Sequence, residues 1–236
     1  MEWTSRTRLL LGDQKQEKLQ SAHVLVAGLG GVGSYAAEML VRAGVGKLTL
    51  VDGDTIHASN RNRQLPALIS TEGRYKAEVL AERFRDINPE ISLCVFNEFL
   101  KEEKLQEVAL RPYDYIVDAI DSIQPKIDLI RYAVSAGTPI ISSMGAGGKM
   151  DPSRVTINDI SKTSYCKLAA TIRRGLRNYG IFRGVTVVYS TEPSDKSSLL
   201  LVHEANKKST LGTISFLPAV FGCFCSYFVI RDLTNS

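Results

Sequence analysis

Apolar residues along this chain follow two rhythms. Short unbroken runs occur at His23–Ala27 (HVLVA), Leu48–Val51, Ile91–Phe96, Tyr115–Ala119 (YIVDA) and Pro139–Ser142. Runs of this length bounded by turn residues predict buried parallel strands. Between them apolar side chains recur every three or four positions. Val32, Ala36, Met39, Leu40 and Ala43 do so along Gly31–Ala43, and Ala77, Leu80, Phe84 and Ile87 along Arg74–Ile87, where Asn88-Pro89 ends the pattern. Both stretches predict amphipathic helices. A charged helix is predicted at Lys101–Leu110, and another at Gln124–Ala136, stopped by Gly137. Strands alternating with helices imply an α/β fold, a mostly parallel sheet with helices on both faces. After Gly148 the rhythm changes. Val155–Ile157, Val185–Tyr189 and Leu199–Val202 suggest strands without full helical crossovers, extending the sheet in antiparallel fashion. No linker separates a second domain, so residues 1–236 are expected to form one.

Ile214–Ile230 is uncharged over 17 residues, the lower edge of what spans a bilayer. Pro218 and Gly222 interrupt it, which favours a buried helix or subunit interface and no membrane. The four cysteines form no C-x-x-C pair, so a zinc ribbon is not expected. With no apolar leader at the N-terminus, this cysteine usage predicts a reducing, cytoplasmic setting.

Charge divides the chain. Residues 1–150 carry 18 basic and 19 acidic side chains; residues 151–236 carry 11 and 6. Between Lys162 and Arg183 stand Lys162, Lys167, Arg173, Arg174, Arg177 and Arg183 with no acid, interleaved with Tyr165, Tyr179 and Phe182. Cations neutralise phosphates and aromatics stack on bases, so this stretch is a candidate nucleic-acid surface. A solvated helix face is the plainer alternative.

The chemistry begins at Gly28-Leu29-Gly30-Gly31-Val32-Gly33, between the first strand and the first helix. Gly28, Gly30, Gly31 and Gly33 permit a tight turn and close phosphate approach, and the helix N-terminus offers N–H donors. Asp52 follows the next strand, 19 residues after Gly33, where a carboxylate can hold ribose. The fold is therefore expected to be Rossmann-like, with residues 1–150 its nucleotide-binding half and 151–236 its substrate and dimerisation half. Asp54, Asn60, Arg63, Gln64 and Lys76 follow closely, a polar cluster suited to charge developing on phosphoryl oxygens. Taken alone, Lys76 could equally be a surface lysine. Asp118 and Asp121 end the YIVDAID strand and could hold magnesium with a triphosphate, or could cap the next helix.

GLGGVGS at 28–34, AGVGKLTLVDGD at 43–54, NRNRQ at 60–64, GRYKAEV at 73–79, INPEI at 87–91 and DAIDS at 118–122 resemble the superfamily of ubiquitin-activating enzymes and the adenylyltransferases of molybdopterin and thiamine sulfur carriers. The resemblance implies that Asp52 binds ribose, that Arg63 and Lys76 contact phosphates, and that Asp121 serves magnesium or the reaction centre with Asn60 beside it. It also implies an N-terminal arginine, here Arg8 with Arg6 as substitute, reaching into a partner subunit of a homodimer. MGAGGKMDPSRVTINDISKT at 144–163, the helix around Leu168–Leu176, VVYSTEPS at 187–194 and GTISFLPAVFG at 212–222 are similar to the tRNA threonylcarbamoyladenosine dehydratase family. That similarity implies ATP-dependent activation of a threonylcarbamoyl carboxylate beside the anticodon, then cyclising dehydration. The runner-up is activation of the C-terminal glycine of a ubiquitin-like sulfur carrier, which would add a carrier or sulfur-transfer protein as partner. Cys166-Lys167 replaces the family's Asp-Pro before Leu168; a helix start or a thioester cysteine are the two readings.

Overall fold

The computed structural model describes residues 3–195, 199–204 and 207–235. Strands β1 (His23–Ala27), β2 (Lys47–Val51), β3 (Ser92–Phe96), β4 (Tyr115–Asp118), β5 (Ile140–Ser143), β6 (Val155–Asp159) and β7 (Thr186–Ser190) form one seven-stranded sheet in the order β3-β2-β1-β4-β5-β7-β6. All neighbours pair in parallel except β6 with β7. The expected mostly parallel Rossmann-like sheet is present, and each apolar run of the first half is a strand within it.

Both faces are covered. The helices are α1 (Ser5–Leu11), α2 (Asp13–Ser21), α3 (Gly33–Ala43), α4 (Lys76–Ile87), α5 (Glu102–Ala109), α6 (Ile123–Ala136), α7 (Lys167–Arg177) and α8 (Phe216–Asn235). On one face Val24, Val26, Leu48, Leu50 and Val117 pack against Leu40 of α3, Phe84 of α4 and Phe221 of α8. On the other, Leu25, Ala27 and Ile116 meet Leu105 of α5, Ile130 of α6 and Ile172 of α7. The alternation along β1 follows the two-residue period of a strand.

The helix expected around Leu168–Leu176 is α7, which stands between β6 and β7. Two other expectations for the second half change. Only β6 runs antiparallel; β7 pairs with β5 in parallel. The strand expected at Leu199–Val202 is β8 (Leu199–Glu204), which pairs with β9 (Lys207–Leu211) in a separate hairpin. β7 already has β5 on one edge and β6 on the other, so the strand after it pairs locally.

The uncharged run forms most of α8, which is long and apolar enough to cross a membrane by length and composition. Here it serves as a core helix, burying Leu217, Phe221, Cys225 and Val229. Gly222 brings its backbone onto α3: a Cβ there would lie 2.5 Å from the Val32 carbonyl oxygen.

Candidate active site

The sheet order reverses at β1. The chain moves to β2 and β3 on one side and to β4 and β5 on the other, so a crevice opens outside the carboxyl ends of β1 and β4. The glycine turn lies there. Gly28 has φ +84°, and a Cβ on it would stand 2.6 Å from the Ala119 carbonyl oxygen at the end of β4. A Cβ on Gly33 would stand 1.8 Å from the Gly28 carbonyl oxygen. Neither position accepts a side chain, which fixes the turn tightly at the start of α3. Gly30 and Gly31 lie between them; Pro218 of α8 approaches Gly31, and the Gln64 amide approaches Gly30.

Asp52 follows β2 and is nearly buried. Its Oδ2 accepts the Leu29 N–H at 2.6 Å and its Oδ1 the Asp54 N–H at 2.8 Å. Burial pushes its carboxyl above the ordinary aspartate value, opposed by Lys76 and by these two donors. Lys76 opens α4 at 4% exposure, so it is no surface lysine. Its Nζ lies 2.7 Å from Asp54 Oδ2 and 3.9 Å from Asp52 Oδ1. The Asn60 Oδ1 accepts the His57 N–H at 3.1 Å and closes the short turn at Ala58–Asn60. Arg63 leaves that turn half-buried, donating to the Ser59 carbonyl at 3.0 Å. Burial lowers its pKa, and the neighbouring Asp121 carboxylate raises it. The Gln64 Oε1 is buried without a partner. An orphaned acceptor beside a glycine turn suits a ligand carrying hydroxyls and N–H groups, as a nucleotide does.

Asp118 departs from the expectation. It is fully buried, with Oδ2 2.8 Å from Lys126 Nζ and accepting the Ser142 hydroxyl at 2.5 Å, while Oδ1 accepts the Ile120 N–H at 3.1 Å. These partners occupy the carboxylate and remove it from any metal site. Lys126 also donates to the Ile120 carbonyl at 2.9 Å, so the pair holds both backbone groups of the turn that carries Asp121. Asp121 is exposed, and Ser122 rather than Asp121 stands at the N-cap of α6. Among the described residues no group of three or more His, Cys, Asp or Glu could enclose a metal. One carboxylate suffices for magnesium that shares phosphate oxygens, and Asp121 fits that role.

Arg8 is not brought to this cluster within one chain. It pairs with Asp13 at 2.8 Å on α1–α2. Those helices dock at the far end of α3, where Gln16 Nε2 donates to the Ala43 carbonyl at 3.2 Å. An 11-residue helix is about 16 Å long, and that length lies between this docking point and the glycine turn.

The basic stretch gives α7 and its flanks. Lys162, Lys167, Arg174, Arg177 and Arg183 are exposed. Arg173 is turned inward, donating to Thr163 Oγ1 at 2.5 Å, the Thr163 carbonyl at 3.2 Å and the Ile160 carbonyl at 3.3 Å. It braces the segment before α7 instead of facing outward. Cys166 is the N-cap of α7, its Sγ accepting the Ala169 N–H at 3.4 Å; that is the plain role of a helix start. Pattern reading missed Lys126, Ser142 and the buried Lys149. The spacing Asp118-x7-Lys126 was visible, but Ser142 arrives from another strand.

The ThiF family model matches residues 4–236. A tRNA threonylcarbamoyladenosine dehydratase of Bacillus subtilis (strain 168) is 39% identical over 97% of this chain and 93% of its own length. One of Escherichia coli (strain K12) is 40% identical over 80% of this chain and 75% of its own. The solved E. coli tRNA N6-threonylcarbamoyladenosine dehydratase TcdA in complex with ATP superposes with a TM-score of 0.90 at 34% identity, covering 98% of this chain and 93% of that one.

Proposed function

The chain belongs to the ThiF family, among its tRNA threonylcarbamoyladenosine dehydratases, and from this we propose that it uses ATP to activate the carboxylate of threonylcarbamoyladenosine in tRNA and then closes it to a ring. The supporting observation is a juxtaposition at the carboxyl-terminal end of the sheet. The Asp52–Lys76–Arg63–Asp121 cluster opens outside β1, β2 and β4. The basic helix α7 begins beside β5, with Cys166 Sγ 3.7 Å from where a Gly145 Cβ would stand.

ATP lies with its phosphates on the N–H groups of the glycine turn and its ribose at Asp52. The substrate carboxylate attacks the α-phosphorus, a P–O bond forms, and pyrophosphate leaves. Arg63 and Lys76 stabilise the charge that gathers on the phosphoryl oxygens. Magnesium, held by Asp121, supplies further neutralisation of the phosphates when bound. An atom of the carbamoyl group then closes on the activated carbonyl carbon and AMP departs, so the net change is loss of water. Proximity within one nucleoside makes closure fast without a protein nucleophile. Exposed Lys162, Lys167, Arg174, Arg177 and Arg183 meet tRNA phosphates. A homodimer brings Arg8 of one subunit to the ATP of the other, and the enzyme works in the cytoplasm without a membrane.

The test is mass spectrometry of anticodon-loop nucleosides after incubation with ATP and tRNA bearing threonylcarbamoyladenosine. The expected product is lighter by one water and forms about 10²–10³-fold more slowly with Lys76→Ala. An unchanged nucleoside, with ATP turned over only when a ubiquitin-like Gly-Gly protein is added, would overturn the reading.

A further inference from the structure

Tyr165 is the only non-glycine residue among those described with a left-handed backbone, at φ 51°. Glycine adopts this conformation freely, whereas a side chain with a Cβ is strained in it. Tyr165 is 64% exposed, so core packing does not compensate for the strain. A strained residue persists only where its surroundings over-determine it, and such residues cluster at ligand sites.

What holds Tyr165 is Lys149, only 3% exposed. Its Nζ donates to the Tyr165 carbonyl at 3.2 Å, to the Ser190 carbonyl at 3.0 Å and to the Glu192 carbonyl. One ammonium thus uses its three hydrogens on three carbonyls. The Glu192 carboxylate in turn accepts the N–H of Met150 at 2.9 Å and of Asp151 at 2.8 Å. The loop leaving β5, the end of β7 and the start of α7 are tied together around Tyr165.

Tyr165 also stands where a substrate would pass. Its neighbour Cys166 approaches Gly145, at the carboxyl end of β5. That strand is two places from β1, about 10 Å from the glycine turn at the usual strand spacing. Exposed Lys162 and Lys167 lie either side of Tyr165 in sequence, and no acid occurs from Lys162 to Arg183. A flat aromatic face amid cations suits an unpaired nucleobase on a phosphate backbone.

We propose that Tyr165 is a stacking platform for an unpaired base of the RNA substrate, held in register with the ATP site by Lys149. The proposal rests on the reading that tRNA is the substrate. It makes stability and binding move independently. Tyr165→Gly removes strain along with the ring, so the full-length protein should melt no lower than the parent. Its tRNA affinity at fixed salt should nevertheless fall about 10- to 100-fold, the range for losing one aromatic–base stack. Tyr165→Phe should bind like the parent and Tyr165→Leu like the glycine variant, with ATP affinity unchanged throughout. Parent-like tRNA binding by Tyr165→Gly, or equal binding by the Leu and Phe variants, would overturn the proposal. So would a glycine variant that melts well below the parent, which would make the ring structural. A parent protein that binds no tRNA would instead overturn the substrate reading itself.

Discussion

Lys76 is buried at the start of α4 against two carboxylates, Asp54 at 2.7 Å and Asp52 at 3.9 Å. A buried cation can aim at a phosphate without first being stripped of water. Replacing Lys76 or Arg63 with alanine should therefore lower kcat by about 10²–10³-fold, the usual loss for one such donor. Pyrophosphate release at saturating ATP measures this, and near-parental turnover in both variants would remove them from the mechanism. Much at this scale was legible, because the glycine turn, Asp52, Arg63 and Lys76 are set by local spacing. Asp118 and Arg173 were less so. Each looks functional in sequence, but Asp118 meets a lysine on α6 and a serine on β5, and Arg173 folds back on the segment before its own helix. Such partners are fixed by the fold and leave little local trace.

Helices α3 and α4 are joined by Glu38, buried between Arg42 at 2.8 Å and Arg83 at 2.7 Å. Burial raises the Glu38 pKa, but hydrogen bonds and charge from Arg83 and Arg42 outweigh it, and the folded value lies below the ordinary one. The stabilisation is therefore complete above the unfolded value, about 4.3, and is lost as pH falls through the lower folded value. Glu38→Gln should cost about 1–2 kcal/mol at pH 7, discounted for the half-exposed arginines. The gap in melting temperature should start to narrow as pH falls below the ordinary glutamate value, about 4.3, and close once the folded carboxyl is protonated; a gap that stays constant into acid would show the role of Glu38 to be packing. On α7, Arg174→Glu with Arg177→Glu should weaken tRNA binding and leave ATP binding intact. Its log–log salt dependence should flatten by about 0.7–0.9 for each phosphate no longer neutralised. An unaltered salt slope would make this a solvated face. Elements with a long apolar stripe were readable in advance. α2 buries only Gln16 and Leu19, too little to mark it against its polar neighbours, and the β8–β9 hairpin depended on which sheet edges were already filled.

At the scale of the molecule, α1 exposes Leu9 and Leu10 at 85% and 83% and α8 exposes Tyr227 at 55%, apolar surface that a two-fold partner would cover. Light scattering should report a dimer at assay concentration; a fully active monomer would refute it. Arg8→Ala and Lys76→Ala should each be poorly active alone, yet mixed subunits should recover about a quarter of parental activity, because a symmetric dimer with shared sites then has one intact site in half of the dimers. No recovery would place Arg8 in the site of its own chain. The sheet order was only partly foreseeable, since the reversal at β1 depends on pairings distant in sequence. The seating of α8 on α3 through Gly222 also has a consequence in time. Some 170 residues of chain separate the end of α3 from the start of α8, and a ribosome adding about 5–20 residues per second takes roughly 10–35 s to make them. Through that interval α3 of the nascent chain still lacks the cover that α8 gives Ala36 and Leu40. Pauses in translation before Phe216 would prolong this exposure, and chaperones would find the chain there.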